Sequence, residues 1–385
     1  VALQQMLKGK TAMITGAAGS IGSELVRQVL ALEPSHIVMV DQAESAMYMV
    51  ARDLETHPHV ADGTTSITTH LVDVTDRDAV TRLMCETSPV VVFHAAAYKH
   101  VPMLEDHASQ AARVNIGGTS ALVRAAVHGT VERFVLVSPD EALLPSSVTG
   151  MAMRVAEMVV SDGARRTGRA FSSVRVGRLA GTSRGDIEAL RSQLQSGKPL
   201  RVDASQPRCQ AMSMAEACGL LLEAAALPQP GRVYRIDRGA LLRAGDVARV
   251  LVRLLGGDAD SVPLRFVGRP PADDPDRQRG DASGSPIPGL LRTETIRKTP
   301  ITFEADVDRL LALARDAQGD QLRAELARYV GYVGSTAASY RDERGYRPAV
   351  PVPVVASASA TSRRSLEGRR SRRGTEPSRR ASVGS

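Results

Sequence analysis

The 385 residues contain no Trp, only five Phe and seven Tyr, and three cysteines. So few aromatics leave the core to be built from Val, Leu, Ala and Met. Cys85, Cys209 and Cys218 form no CxxC pair and no metal-ligand spacing. An odd, sparse set of this kind points to reduced thiols in a cytosol, not to a disulfide framework. His57–Pro58–His59 has no nearby cysteine or second histidine pair, so it reads as a surface loop, and no metal site is expected. No stretch reaches the roughly eighteen consecutive apolar residues of a membrane helix. Val1–Gln5 lack the basic and apolar regions of a signal peptide. We therefore expect a cytoplasmic protein without a membrane span.

Surplus charge is scarce as well once the last residues are set aside. The formal charge is +7, but residues 361–385 hold eight arginines against two glutamates. That surplus of six leaves +1 for everything before it. The body is nearly neutral, so specific nucleic-acid binding is not expected. From about Pro348 onward Pro, Val, Ser, Ala and Arg dominate. Residues 346–385 therefore read as a disordered Arg/Ser-rich tail.

What is present is concentrated near the start. Ala12–Met13–Ile14 is short and apolar, as a buried parallel strand is. Gly16, Gly19 and Gly22 follow, with Ser20 and Ile21 between them, and Glu24–Leu30 then carries apolar residues at helical spacing. Glycines at a strand-to-helix turn let the backbone approach a pyrophosphate, and the helix N-terminus offers free N–H groups. A second apolar run, Ile37–Val40, ends in Asp41, where a carboxylate meets an adenosine ribose.

Beyond Asp41, helices are expected over Glu44–Glu55, Asp76–Glu86 and Ala108–His128. Strands are expected over Ser66–Val72, Pro89–His94, Arg133–Val137 and Ser172–Val176. This alternation argues for an α/β fold, a Rossmann-type doubly wound parallel sheet with ligands at the carboxyl ends of its strands. Asp41, Asp73, Ala95–Ala97 and Ser138 fall at such ends, and the small Ala95–Ala97 suit a flat cofactor lying against the backbone. Later helices are expected over Ile187–Ser196, Met214–Leu227, Asp246–Leu255 and Ala305–Arg328. Short strands are expected near Leu200–Val202 and Val233–Ile236, and a mobile loop over Gly268–Gly289. We divide the chain into an NAD(P)-binding domain over 8–180, a smaller C-terminal substrate-binding lobe over 181–345 to which part of the sheet can return, and the tail.

Three stretches go further: TGAAGSIGSELVRQ from Thr15, HAAAYKHVPMLED from His94 and RVNIGGT from Arg113. With them the chain from about Lys8 to about Val333 resembles the nucleotide-sugar 4,6-dehydratases of polysaccharide biosynthesis, within the extended short-chain dehydrogenase/reductases. The branch is CapD-like, typified by UDP-N-acetylglucosamine 4,6-dehydratase. The resemblance implies that Gly16, Gly19, Ser20, Ile21 and Gly22 face the pyrophosphate, Asp41 the ribose and Asp73–Val74 the adenine. It implies that Ala95, Ala96, Ala97, Asn115 and Ser138 line the dinucleotide. Gln42 stands where many relatives have Arg, so NAD is favoured over NADP. Lys99, His100, Arg208 and Arg269 would meet a nucleotide sugar, a UDP-sugar first. A homo-oligomer is expected.

The family chemistry oxidises the sugar at C4, eliminates water across C5–C6 and returns the hydride at C6. Its branch reads roughly STDKAVNPTSVMGATKR where this chain runs from Ser138 to Arg154. Asp140, the usual acid, is kept. Glu141 replaces Lys, Thr149 replaces the Tyr or Met, and Met153 replaces the Lys that supports the oxidation base. Arg154 is one residue on, about 100° round a helix. Arg178 also stands where Asn is expected. Two functions stay open: a dehydratase or epimerase using Asp140 and Glu141, with Thr149 or Lys99 as substitute groups, or a non-catalytic regulatory or scaffolding relative. For Asp140 and Glu141 themselves the alternative is a solvated pair at a strand end. The altered oxidation pair favours weak or absent 4,6-dehydratase activity.

Overall fold

Short apolar runs that end in glycine or an acid become strands, and the amphipathic stretches between them become helices. The computed structural model describes residues 2–143, 145, 147–177, 179, 192–197, 199–203, 208–237, 239–267, 283–293, 303–316 and 319–338. Helix α1 (Ala2–Leu7) leads into β1 (Thr11–Thr15), α2 (Ser20–Leu30), β2 (His36–Asp41), α3 (Glu44–Leu54), the short α4 (Pro58–Ala61) and β3 (Ser66–Leu71). Then come α5 (Arg77–Thr87), β4 (Val91–His94), α6 (Val101–Asp106) and α7 (Ala108–Ala111). A π-helical segment, Ala112–Gly118, joins α7 to α8 (Thr119–His128). Next are β5 (Arg133–Pro139), a 3-10 turn at Asp140–Ala142, α9 (Val148–Thr167) and β6 (Ala170–Val176).

Beyond β6 the elements are shorter. They are β7 (Leu200–Asp203), β8 (Arg208–Gln210), α10 (Met214–Ala226), β9 (Val233–Ile236), β10 (Leu241–Arg243) and α11 (Ala244–Leu254). The last are β11 (Leu264–Val267), β12 (Ser283–Gly284), β13 (Leu290–Arg292), α12 (Phe303–Arg315) and α13 (Gly319–Ala338). No described helix is long and apolar enough to cross a membrane.

The main sheet has the order β12–β13–β9–β6–β5–β4–β1–β2–β3. From β9 to β3 every pairing is parallel, and β13 and β12 add an antiparallel edge. Strands β9, β12 and β13 thus return to the sheet from the C-terminal half. Side chains alternate between two cores. Ala12, Ile14, Ile37, Met39, Val91 and Phe93 pack with Leu25, Val26 and Val29 of α2 and Leu221 of α10. Met13, Val38, Val40, Val92, Phe134 and Leu136 pack with Leu83 of α5, Leu122 of α8, Val155 of α9 and Leu310 of α12. Each such Val, Leu, Ile, Met or Phe side chain, fully buried, contributes about 1.5–3 kcal/mol. Burial on both faces is why these strands read as continuous apolar runs.

A separate small cluster of Leu200, Val252 and Ala259 holds β7, β11 and α11 together. The sheet order reverses between β1 and β4, so a crevice opens at their carboxyl ends, between Gly16 and Ala95.

Four expectations need correction. Ala108–His128 is not one α-helix, because the π-helical turn interrupts it. Ala305–Arg328 is two helices, α12 and α13. Val101–Asp106 is a helix that the sequence pattern did not suggest. The loop expected over Gly268–Gly289 contains β12, paired with β13. Most of that loop, residues 187–191 of an expected helix, and the whole of 346–385 lie outside the described residues.

Candidate functional site

Backbone packing at the β1–α2 turn explains all three glycines. Gly16 has φ +70°, and a Cβ there would lie 2.6 Å from the Ala96 nitrogen. A Cβ on Gly22 would lie 2.0 Å from the Gly16 carbonyl oxygen, and one on Gly19 would lie 3.2 Å from it. The first turn of α2 can therefore press down on the loop, leaving Gly19 and Ser20 exposed at its N-terminus, with Ile21 half-buried. Asp41 is part of the same construction. Its Oδ2 accepts from the Ala18 N–H and its Oδ1 from the Ala43 N–H, each at 3.0 Å. Asp73 accepts from the Thr75 N–H, and Val74 fills the space that a Cβ on Gly118 would take.

At the far wall, Ala95 follows β4 with its N–H on the Thr15 carbonyl. His94 beneath it is 1% exposed, with Nδ1 2.7 Å from Thr15 Oγ1 and Nε2 3.0 Å from Thr119 Oγ1. Thr119 donates its one hydroxyl proton to the Asn115 carbonyl at 2.6 Å. His94 must then donate from Nε2 and accept from Thr15 at Nδ1. This neutral ring ties β1, β4 and α8 together under the crevice. Asn115, carried on the π-helical segment, closes a two-way pair with the Tyr98 backbone: its Oδ1 accepts at 2.8 Å and its Nδ2 donates at 3.0 Å. It thereby fixes the Ala95–His100 loop.

Burial pushes the His94 pKa down from 6.5 to about 3. The folded protein holds the ring neutral, whereas the unfolded chain takes up a proton below about pH 6.5. The stability this group contributes is complete above that pH and is lost as pH falls toward 3. By about pH 5 the loss is about 2 kcal/mol. We expect the urea midpoint to fall accordingly between pH 7 and 5, and His94→Gln, though less stable at pH 7, to lose less over that interval. Parallel pH dependence in the two proteins would contradict this assignment.

Lys99 as a residue is exposed, yet its ammonium is packed round by protein, within electrostatic reach of Cys218 on α10, and burial pushes its pKa down. The Cys218 thiol is raised to about 12, chiefly by burial, and contacts the Ile21 carbonyl at 3.7 Å. His100 is exposed at the N-cap of α6. Glu105 at the end of that helix accepts the Val148 N–H at 2.7 Å and pairs with Arg323 at 2.5 Å, so it caps α9 and anchors it to α13.

The second half of the site is organised around a carboxylate that the sequence reading missed. Glu157 is fully buried on α9. Its Oε1 accepts from Ser138 at 2.7 Å and from Arg175 Nε at 2.8 Å; its Oε2 accepts from Arg175 Nη2 at 2.6 Å and Arg154 Nη1 at 3.3 Å. Burial alone would push its pKa up. The Arg175 guanidinium, with Arg154 and Ser138, instead holds it below the usual carboxylate value. Ser138 therefore spends its hydroxyl inward. Arg154, adjacent to Met153, is turned to Glu157. Met153 and Thr149 are each 1% exposed, and Thr149 Oγ1 has no hydrogen-bond partner.

Asp140 is held from β9: Arg235 donates to its Oδ1 from Nε at 3.2 Å and to its Oδ2 from Nη2 at 3.0 Å. Glu141 lies in the same 3-10 turn, half-buried, and its carbonyl backs onto Gly150. Arg178 and Arg269 lie outside the described residues. The backbone of Arg208 pairs with Arg243. No group of metal-ligating side chains occurs among the described residues.

Residues 12–273 of the sequence match the family described as polysaccharide biosynthesis protein. The chain belongs to that family. The probable polysaccharide biosynthesis protein EpsC of Bacillus subtilis is 33% identical over 273 residues, which is 70% of this chain and 45% of EpsC. The capsular polysaccharide biosynthesis protein CapD of Staphylococcus aureus is 34% identical over 272 residues, again 70% and 45%. The chain thus spans about half the length of the curated relatives it matches.

The structure of Pen from Bacillus thuringiensis superposes with a TM-score of 0.61 at 22% identity, covering 70% of this chain and 83% of Pen. A double mutant of DesIV, a dTDP-glucose 4,6-dehydratase from Streptomyces venezuelae solved with NAD, gives 0.58 at 22% identity, covering 70% and 90%. The Rossmann-type architecture expected from the sequence is therefore the fold of this chain.

The family motifs located the crevice but not its supports. Glu157 had a signal, since it is a lone acid in the apolar run Val155–Val160 and needs a buried partner. Arg235 had none, because β9 is too short to show which side faces the site.

Proposed function

We propose that this chain binds NAD in the β1–β4 crevice and a nucleotide sugar, a UDP-sugar first, over the carboxyl ends of β5, β6 and β9. We further propose that its 4,6-dehydratase activity is weak or absent. The residues present fit NAD: Gly16 and Gly22 leave no room for a Cβ, Gly19 and Ser20 open the helix N-terminus to a phosphate, and Asp41 stands at the end of β2. NAD, when bound, would accept and return the hydride. The observation that carries the activity reading is the first two turns of α9. Thr149 and Met153 occupy the family's oxidation positions, both buried, and Arg154 is committed to Glu157.

Calorimetry with NAD and NADP, then with UDP- and dTDP-sugars, tests the binding half. Asp41→Ala removes an acceptor for the ribose and also releases the Ala18 N–H, so NAD affinity should fall at least tenfold. Folded wild-type protein that binds neither dinucleotide would remove the proposal.

A further inference from the structure

Burial stops at the last strand of the main sheet. Parallel strands normally carry cover on both faces. β1 and β2 follow that rule, each with four buried residues in a row. β3 pairs with β2 in parallel at the end of the sheet, yet none of its residues is buried. Ile67 packs on the core that holds Met47 and Leu54 of α3, and Leu71, two pairs of positions along, shares its face. Leu71 is 57% exposed, and on that same face α3 leaves Tyr48 60% and Met49 62% exposed.

The open edge of β3 is regular. The Ser66 N–H donates to the Ser35 carbonyl at 3.0 Å and the Val72 N–H to the Asp41 carbonyl at 3.1 Å. Alternate residues of a strand turn their main-chain groups the same way, so Ser66, Thr68 and His70 face β2. Ile67, Thr69 and Leu71 turn N–H and C=O outward. Edge strands are commonly protected by charge, proline, a bulge or shortness. Residues 64–72 contain no Asp, Glu, Lys, Arg or Pro, and β3 runs six residues in unbroken register.

The three outward residues are symmetric about Thr69. A two-fold axis there sets Thr69 against the partner's Thr69, Ile67 against the partner's Leu71, and Leu71 against the partner's Ile67. In an antiparallel ladder each such pair exchanges two hydrogen bonds, so every outward group of Ile67, Thr69 and Leu71 is satisfied. The side chains match as well, apolar on apolar and threonine on threonine. With no charge in the strand, nothing in it repels its own copy.

We propose that β3 is the edge through which two copies of this chain pair, antiparallel and two-fold about Thr69, joining two nine-stranded sheets into one.

Sedimentation velocity on the full chain tests this. At about 10 µM the wild type should sediment with the mass of two chains. Thr69→Lys and Thr69→Glu each place a charge against its own copy, so each alone should self-associate at least about tenfold more weakly. An equal mixture of the two should recover the wild-type mass, because lysine then faces glutamate. Thr69 is exposed and turns its main chain away from β2, so melting temperatures should stay near that of the wild type. If the charged variants misfold, Thr69→Pro, which removes only an outward N–H, should weaken association alike.

A wild type with the mass of one chain at about 100 µM overturns the proposal. A dimer that survives Thr69→Lys and Thr69→Glu separately overturns it too, since the copies then meet on another face. Variants that dissociate but do not recover on mixing overturn the two-fold register about Thr69.

Discussion

With NAD and UDP-N-acetylglucosamine, the protein should form 4-keto product at least about a hundredfold more slowly than an enzyme with an intact oxidation pair. Oxidation at C4 requires the hydroxyl proton to leave as the hydride departs. Thr149 and Met153 are four apart, so they share one face of α9, as an oxidation base and its supporting lysine must. A threonine hydroxyl is a poor base because its alkoxide is inaccessible near neutral pH. Met153 brings neither positive charge nor hydrogen bonds, and Arg154 sits 3.3 Å from Glu157 instead. Loss of one well-placed acid–base group costs about a hundredfold to ten-thousandfold. Beside that step, the Asp140 carboxylate is held by Arg235, whose Nε and Nη2 both donate to it.

Product can be followed as 4-keto sugar with UDP- and dTDP-sugars. Robust turnover would sink this expectation, and its loss in Lys99→Met or Glu141→Gln would identify the substitute base. Activity that arises only in the pair Thr149→Tyr with Met153→Lys would mean that these two positions alone are deficient.

Arg175→Met should lower stability by about 3–5 kcal/mol. Arg175 and Glu157 are each at most 1% exposed, and removing the arginine leaves a buried carboxylate with only Ser138 and the longer contact to Arg154. The doubly apolar Glu157→Leu with Arg175→Met should recover much of that loss, because it removes both buried charges. Urea unfolding read by far-UV circular dichroism decides the matter. An Arg175→Met protein within about 1 kcal/mol of wild type would mean that water reaches Glu157. The network also ties α9 to β5 and β6, so the same variant tests whether the helix carrying Thr149 and Met153 depends on it.

Local order along the chain was enough to determine the β1–α2–β2 side of the crevice. Strand, glycine turn, helix and acid lie within Thr11–Asp41, and each depends mainly on its neighbours: φ +70° at Gly16, free N–H groups at the start of α2, and burial of apolar runs on both faces of the sheet. Membership of the polysaccharide biosynthesis family followed from short motifs for the same reason. Other features were decided only by tertiary structure. Apolar spacing over Ala108–His128 suits an α-helix throughout, and the π-helical turn appears only where Val74 and Leu311 press on Gly118 and Gly117.

Asp140 and Arg235 are 95 positions apart, and they meet because β9 crosses back to lie beside β6, pairing Arg235 with Arg175 in register. Gln210 Nε2 donates to the Ile236 carbonyl because of where β8 sits, not because of anything near it in the sequence. Charged and polar groups buried at strand ends find partners across the sheet, and strand order, which no local pattern encodes, chooses which partners those are.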